Sequence, residues 1–60
     1  MAMFYIYKDV SRGFRWRLKS VNGRIIADSG ESYEAKQGAE WAVGWMKKYT
    51  RGAGIVDLTE

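Results

Sequence analysis

The sequence lacks the residues that most often stabilise or activate a very small domain. Its 60 residues include no cysteine and no histidine. Without cysteine no disulfide can form, and without either residue the common zinc sites are excluded. The same absence removes the usual general bases and thiol nucleophiles. We therefore expect a protein that is not an enzyme and that has no metal site and no cofactor.

The length predicts a single domain, residues 1–60, with a thin core. A domain of this size buries only about 60% of the surface that its unfolded chain exposes. Small domains without disulfides or metals commonly gain stability from a second subunit. Aromatic residues make up 15% of the chain, and they supply the large apolar area that such an interface needs. These features predict a homodimer.

Neither a membrane span nor a strong charge is present in the sequence. No run approaches the roughly 20 apolar residues that cross a bilayer, and no signal-peptide pattern is visible. We therefore expect a cytoplasmic protein without a membrane partner. The formal net charge of +3 and the pI near 9.5 permit an anionic partner but do not require one.

Three strands are predicted in the first half of the chain. Residues 3–8 are rich in aromatic and β-branched side chains, which favour strands. Residues 14–21 alternate between apolar and basic side chains, a pattern typical of a half-buried strand. A third strand is expected over residues 24–29. The strand-rich half followed by one helix predicts an α+β fold, an antiparallel sheet with one covering helix.

The dipeptide Asn22-Gly23 predicts a two-residue type I′ hairpin turn, because that turn needs positive φ at both positions. In the resulting register Val21 faces Arg24. The remaining predicted pairs are Lys19 with Ile26, Leu18 with Ala27, and Arg17 with Asp28, the last a cross-strand ion pair.

This register predicts two different faces for the sheet. The helix-facing side is expected to hold Phe4, Ile6, Phe14, Trp16, Leu18, Ile25 and Ala27. The outer face is expected to place aromatic rings beside cations, and its candidate anion-binding residues are Tyr5, Tyr7, Arg15, Arg17 and Lys19. Long basic side chains can lie over tyrosine rings while their charges stay in water. The face is therefore either a solvated surface or a docking surface for an acidic protein or another anion.

A helix is predicted over residues 35–49, where small and apolar residues recur at helical spacing. Ser32 is a candidate cap at its start, and Gly52 is a natural stop at its end. The side chains expected to share its buried face are Ala35, Ala39, Ala42, Val43, Met46 and Tyr49.

Trp41 and Trp45 form an unusual pair on this helix. Their i, i+4 spacing places them together, beside the buried face rather than within it. Tryptophan leads the composition of binding hot spots, so Trp41 and Trp45, with Lys48, are candidate partner-binding residues. The alternative is that the rings lie in a dimer contact or at the edge of the core.

A short last strand is predicted over residues 55–58, after the loop 51–54. A strand needs a sheet edge, because otherwise its backbone groups stay unpaired. The edge could belong to the same chain or to a second copy. Ile55, Val56 and Leu58 are therefore candidate dimerisation residues.

Residues 4–9, 14–19 and 22–27 resemble the YegP-like family of small bacterial proteins, and Tyr33, Lys36, Ala39, Val43 and Lys47 continue the match through the helix. The resemblance implies a β-β-β-α-β unit. Such units occur as tandem repeats, or as two subunits that share one sheet and exchange their C-terminal strands. A single unit therefore implies the homodimer. No established activity, and hence no catalytic residue, is implied.

The departures from this family suggest a specialised surface. Its members usually have small or polar residues at the positions of Trp41 and Trp45, and often a charged one at Tyr5. The sequence thus favours a homodimeric protein-binding module that docks through its aromatic helix face, such as an inhibitor of a host or phage-defence complex. The alternative is a binder of nucleic acid or of a nucleotide-type anion that uses the outer sheet face.

Overall fold

The chain folds into a three-stranded antiparallel sheet with one helix, as a computed structural model that describes residues 1–59. The strands are β1 (Met3–Lys8), β2 (Phe14–Lys19) and β3 (Ile25–Asp28), in the sheet order β1-β2-β3. The helix α1 spans Lys36–Tyr49. The predicted α+β class is therefore confirmed. Over these residues no helix combines the length and the hydropathy that a bilayer crossing needs.

The turn between β2 and β3 differs from the predicted type I′ turn. Gly23 has a φ of 86°, whereas Asn22 is not among the residues with positive φ. The Gly23 amide donates to the Ser20 carbonyl over 2.9 Å, and the Ser20 amide donates to the Arg24 carbonyl over 2.8 Å. The loop therefore consists of the three residues 21–23, and its last residue is the glycine with positive φ.

This longer loop changes the register near the turn. Arg17 is aligned with Asp28 and Leu18 with Ala27, as predicted. Within residues 1–59, Arg17 and Asp28 form no salt bridge, so the predicted ion pair is not present. Lys19, however, pairs with Ile25 and not with Ile26, because a bulge interrupts the ladder. Residues that are directly paired have side chains on the same face. The bulge therefore moves Ile25 from the predicted helix-facing side to the outer face.

Helix α1 begins one residue after the predicted start and has no side-chain cap. Ala35 occupies the N-cap position, so the prediction of Ser32 as the cap was wrong. Ser32 instead lies against the β1–β2 loop, where a Cβ atom at Gly13 would collide with its hydroxyl. At the other end Thr50 closes the helix, and its hydroxyl donates to the Met46 carbonyl over 2.7 Å.

The helix covers β1 and β2 but has no contact with β3 among the described elements. Trp16 of β2 is only 8% exposed, and Ala39 of the helix is fully buried. These two are the buried side chains of residues 1–59. Phe4 packs edge-on against Trp16, with ring centroids 5.7 Å apart. The core is therefore small and lies between the central strand and the first half of the helix.

The C-terminal segment does not form the predicted strand within its own chain. Residues 55–59 have no strand structure, and Ile55 is 94% exposed. A strand is held by hydrogen bonds to a neighbouring strand, and this segment has no such bond to the sheet of residues 1–59. The predicted β-β-β-α-β unit is thus β-β-β-α in the single chain.

The single chain exposes more surface than its mass requires. Its accessible area is 5281 Å², about a third more than the roughly 4,000 Å² expected of a folded monomer of this mass. Its radius of gyration is 12.9 Å, above the roughly 10 Å expected for a chain of this length. Much of the excess is apolar, since the exposed residues include Ile55, Val56 and Leu58.

We predict that Gly23→Ala destabilises the hairpin and that Asn22→Ala does so much less. Of these two residues, only Gly23 has the left-handed conformation, which costs an L-residue about 1–2 kcal/mol. Chemical denaturation of the two variants measures the difference. Equal losses of about that size at both positions would instead indicate the type I′ turn, with both residues left-handed.

Candidate functional surfaces

The first surface lies on the solvent side of α1. Trp41 is 69% exposed and Trp45 is 47% exposed. Tyr49 continues the row, with its ring centroid 5.3 Å from that of Trp45. The Lys48 ammonium lies over the Tyr49 ring, 5.3 Å from its centroid. We call Trp41, Trp45, Lys48 and Tyr49 the aromatic helix surface.

Helical geometry explains why these rings stay in water. At about 100° per residue, Trp41 and Trp45 point well away from Ala39, which the sheet buries. Tyr49 was predicted on the buried face, but it is exposed and contacts Trp45. Its i+4 spacing from Trp45 is the sequence signal that could have placed it there.

The second surface is the outer sheet face, where cations cover tyrosine rings. The Arg17 guanidinium lies 4.3 Å from the centroid of the Tyr7 ring. Its Nη2 also donates to the Tyr7 hydroxyl over 3.0 Å. The Lys19 ammonium lies 5.0 Å from the centroid of Tyr5. Both contacts are diagonal across the β1–β2 ladder, within reach of long side chains.

A carboxylate pairs with one of the three cations on this face, and a second carboxylate lies across the ladder from another. Arg15 Nε donates to the Asp9 carboxylate over 2.8 Å, forming a salt bridge. Asp28 is the direct cross-strand partner of Arg17. The five predicted anion-binding residues are thus brought together, but cations lie over the rings of Tyr5 and Tyr7, and Arg15 is held in a salt bridge. This arrangement stabilises the sheet more clearly than it prepares a binding site.

Asp9 organises the loop from β1 to β2. Its Oδ1 accepts from the amides of Ser11 at 2.9 Å and Gly13 at 3.0 Å. The hydrogen bond from Arg15, then the one from Ser32, then those from these amides hold the pKa of Asp9 well below its ordinary value. The loop therefore depends on an ionised carboxylate.

The third surface is an apolar groove beside the free edge of β1. It has a volume of about 860 Å³. Its apolar lining includes Met1, Phe4, Ile6, Leu18, Val43 and Met46. We call it the β1 groove. It joins an unpaired strand edge to apolar side chains, which is the environment that an added strand needs.

The described residues provide little for metal or acid–base chemistry. Within residues 1–59 no three acidic side chains lie close enough together to hold a metal ion. The features that stand out among the described residues are the exposed helix rings, the outer sheet face and the β1 groove.

Comparison with known proteins places this fold in a family. Residues 9–57 match the model of a domain of unknown function, DUF1508. A UPF0339 protein of Neisseria meningitidis serogroup B is 42% identical over 55 residues, which cover 92% of this chain and 96% of that protein.

The chain belongs to the DUF1508 family. This result confirms the resemblance to YegP-like proteins.

Solved structures of similar chains support the fold of this DUF1508 domain. A solution structure of a protein from Haloferax volcanii has a TM-score of 0.84 and 38% identity, covering 93% of each chain. A solution structure of an Agrobacterium tumefaciens protein has a TM-score of 0.79 and 38% identity, covering 97% of this chain and 92% of that one. The family description assigns no activity, so the function must be argued from the surfaces of this chain.

We predict that Asp9→Asn lowers stability at neutral pH and that the difference from the parent chain shrinks in acid. A lowered folded pKa stabilises the protein above the ordinary value of 3.8, and this contribution is lost as the pH falls below it. Asparagine can still accept the loop amides. Thermal melts from pH 7 to pH 2 measure the effect, with Glu40→Gln as the control. A difference that is constant with pH would show that the charge is not its source.

Proposed function

We propose that this DUF1508 domain is a non-enzymatic, homodimeric protein-binding module. It docks a second protein through Trp41 and Trp45, with Lys48 beside them. The observation that supports this most is the exposure of both tryptophans on a helix whose opposite side already contacts the sheet.

The energetics favour an occupied surface. A tryptophan side chain can bury roughly 150–250 Å². With 69% of Trp41 and 47% of Trp45 exposed, the pair offers roughly 200–300 Å² of apolar area. Patches of that size on small proteins commonly mark interaction sites. Between Trp41 and Tyr49 the helix has two cations, Lys47 and Lys48, and no carboxylate. The complementary partner surface is therefore apolar and acidic.

The homodimer is supported by the unsatisfied surface of the single chain. The tail residues Ile55, Val56 and Leu58 are all exposed, while the β1 groove lies open beside a free strand edge. A tail from a second copy would pair with that edge and bury its apolar side chains in the groove. The surplus area of the single chain is of the order of the roughly 800 Å² that each partner buries in a standard interface.

We predict that the double variant Ile55→Asp, Leu58→Asp weakens the dimer and lowers the melting temperature. Two carboxylates in an apolar groove would leave unpaired buried charges, a loss of several kcal/mol. Sedimentation equilibrium measures the mass. Val10→Asp is the matched control, because Val10 is fully exposed in the β1–β2 loop. A parent chain that sediments as a folded monomer at micromolar concentration would contradict the proposal.

The biological role included in this proposal is inhibition of a host or phage-defence complex. A homodimer presents the aromatic helix surface twice, and two linked sites raise avidity without any new contact. Such a module blocks its target by covering a surface, which requires no catalytic group.

Binding of nucleic acid or of a nucleotide-type anion through the outer sheet face is the second candidate. It is favoured by the three cations that β2 places on one face, Arg15, Arg17 and Lys19. The carboxylates of Asp9 and Asp28 weaken the field there, and the cations over Tyr5 and Tyr7 limit base stacking. We therefore place it behind protein binding.

We predict that a Trp41→Ala, Trp45→Ala variant remains a folded dimer and loses its protein partner. Exposed substitutions usually change stability by no more than about 0.5 kcal/mol, whereas a hot-spot residue contributes about 2 kcal/mol or more to binding. Affinity capture from a bacterial lysate followed by calorimetry with the captured protein measures both affinities, with Val10→Ala as the control.

Two results would contradict this prediction. If the double variant unfolds or becomes monomeric, the rings belong to the core or to the dimer seam. If binding persists in that variant but is lost after charge reversal of Arg15, Arg17 and Lys19, and weakens steeply with salt, the function belongs to the outer face.

A further inference from the structure

We infer that the aromatic helix surface receives an acidic α-helix of its partner, seated over Gly44. This inference rests on the proposed function, since it assumes that Trp41 and Trp45 bind a protein. It adds the secondary structure of the partner and the position of its contact.

The first argument is the shape of the surface around Gly44. Trp41, Gly44, Trp45 and Lys48 stand at positions i, i+3, i+4 and i+7 of one helix. Four residues at this spacing form the hole that accepts one side chain of a facing helix. A Cβ atom at Gly44 would have no neighbour within 4 Å. The hole is therefore open down to the backbone, with indole rings and a long cation as its walls.

The second argument is the direction of the aromatic row. Trp41, Trp45 and Tyr49 follow one i+4 line over about 12 Å of the helix axis. Such a line is a ridge, and ridges of this kind pack into the grooves of another helix. The Trp45 and Tyr49 rings already touch, so the ridge is partly ordered before a partner arrives. Both features fit a helix better than an irregular loop.

The third argument is charge. Lys48 stands at one corner of the hole, and among residues 1–59 it has no salt-bridge partner. Glu40 is the nearest carboxylate in sequence to Trp41 within the helix, and none follows it as far as Tyr49. A carboxylate on the incoming helix would pair with Lys48 as the contact closes. A second copy of this chain is a poorer occupant, because its own aromatic helix surface has no carboxylate between Trp41 and Tyr49 that could pair with Lys48.

Gly44 allows a test that leaves the tryptophans and the fold in place. We propose the variants Gly44→Gln, which fills the hole, and Gly44→Ala, which adds only a methyl group. Both residues favour a helix over glycine, so both variants should melt at or above the temperature of the parent dimer. A loss of binding in Gly44→Gln would then result from the filled hole and not from a less stable fold.

The probe is a phage-displayed library of linear peptides selected on the parent dimer. We expect enrichment of sequences with apolar residues at helical spacing and flanking Asp or Glu, which become helical on binding by circular dichroism. Gly44→Gln and Lys48→Glu should each weaken them by about tenfold or more, as expected for a contact worth about 1.4 kcal/mol. Gly44→Ala should retain binding within about threefold, a change of less than 1 kcal/mol.

The remaining outcomes separate the two proposals. Peptides that need Trp41 and Trp45 but bind in an extended form, or equally well to Gly44→Gln, would overturn the helix and leave protein binding intact. Failure to select any peptide that depends on the tryptophans would count against both. Concentration-dependent tetramers that Gly44→Gln abolishes would make a second copy the occupant, which also overturns the acidic helix.

Discussion

The packing of helix α1, with Ala39 on its buried side, against the central strand β2 is the contact on which the rest of the molecule depends. It joins the helix to the central strand, and it contains the only fully buried side chain among residues 1–59. Because Ala39 has a small side chain, the helix can approach the sheet closely there. The same contact limits what one helix can do, since α1 covers β1 and β2 and leaves β3 without a helix above it. The core is consequently too small to bury all the apolar side chains of the chain.

The apolar surface that the core does not bury lies in two regions: the β1 groove with the C-terminal tail, and the aromatic helix surface. In the proposed dimer the exposed tail of one copy would fill the β1 groove of the other, because the groove lies beside a free strand edge and the tail has unpaired backbone. The aromatic helix surface lies on the other side of α1. The tail of a second copy in the β1 groove would therefore leave the aromatic helix surface exposed. In the proposed function, one side of the helix serves stability and the opposite side serves recognition. The proposed dimer would hold the sheet while the rings remain free for a different protein.

The outer face shows how a surface rich in aromatic and basic residues can serve the fold. Arg17 on Tyr7 and Lys19 on Tyr5 use the diagonal spacing of the ladder, and Arg15 is held by the loop carboxylate of Asp9. Each cation keeps some contact with water while its stem covers a ring. A composition that suggests anion binding is therefore also typical of a sheet face on which basic side chains cover the aromatic rings of the same sheet.

The sequence by itself determined the three strands, the helix to within one residue, the alignment of Arg17 with Asp28, and the position of Trp41 and Trp45 beside the buried helix face, because periodicity and spacing act locally. Local rules also misplaced some residues. Asn22-Gly23 fits both a two-residue turn with positive φ at both residues and a three-residue loop with positive φ at Gly23 alone. The choice of the three-residue loop, and with it the outward position of Ile25, therefore depended on the pairing of the strands. Ser32 has the chemistry of a helix cap, but packing against Gly13 directs its side chain to the β1–β2 loop and not to the start of the helix. The apolar, β-branched residues Ile55 and Val56 favour a strand, yet a strand forms only where it pairs with a sheet edge. Only the tertiary structure shows that this segment stays unpaired in the single chain.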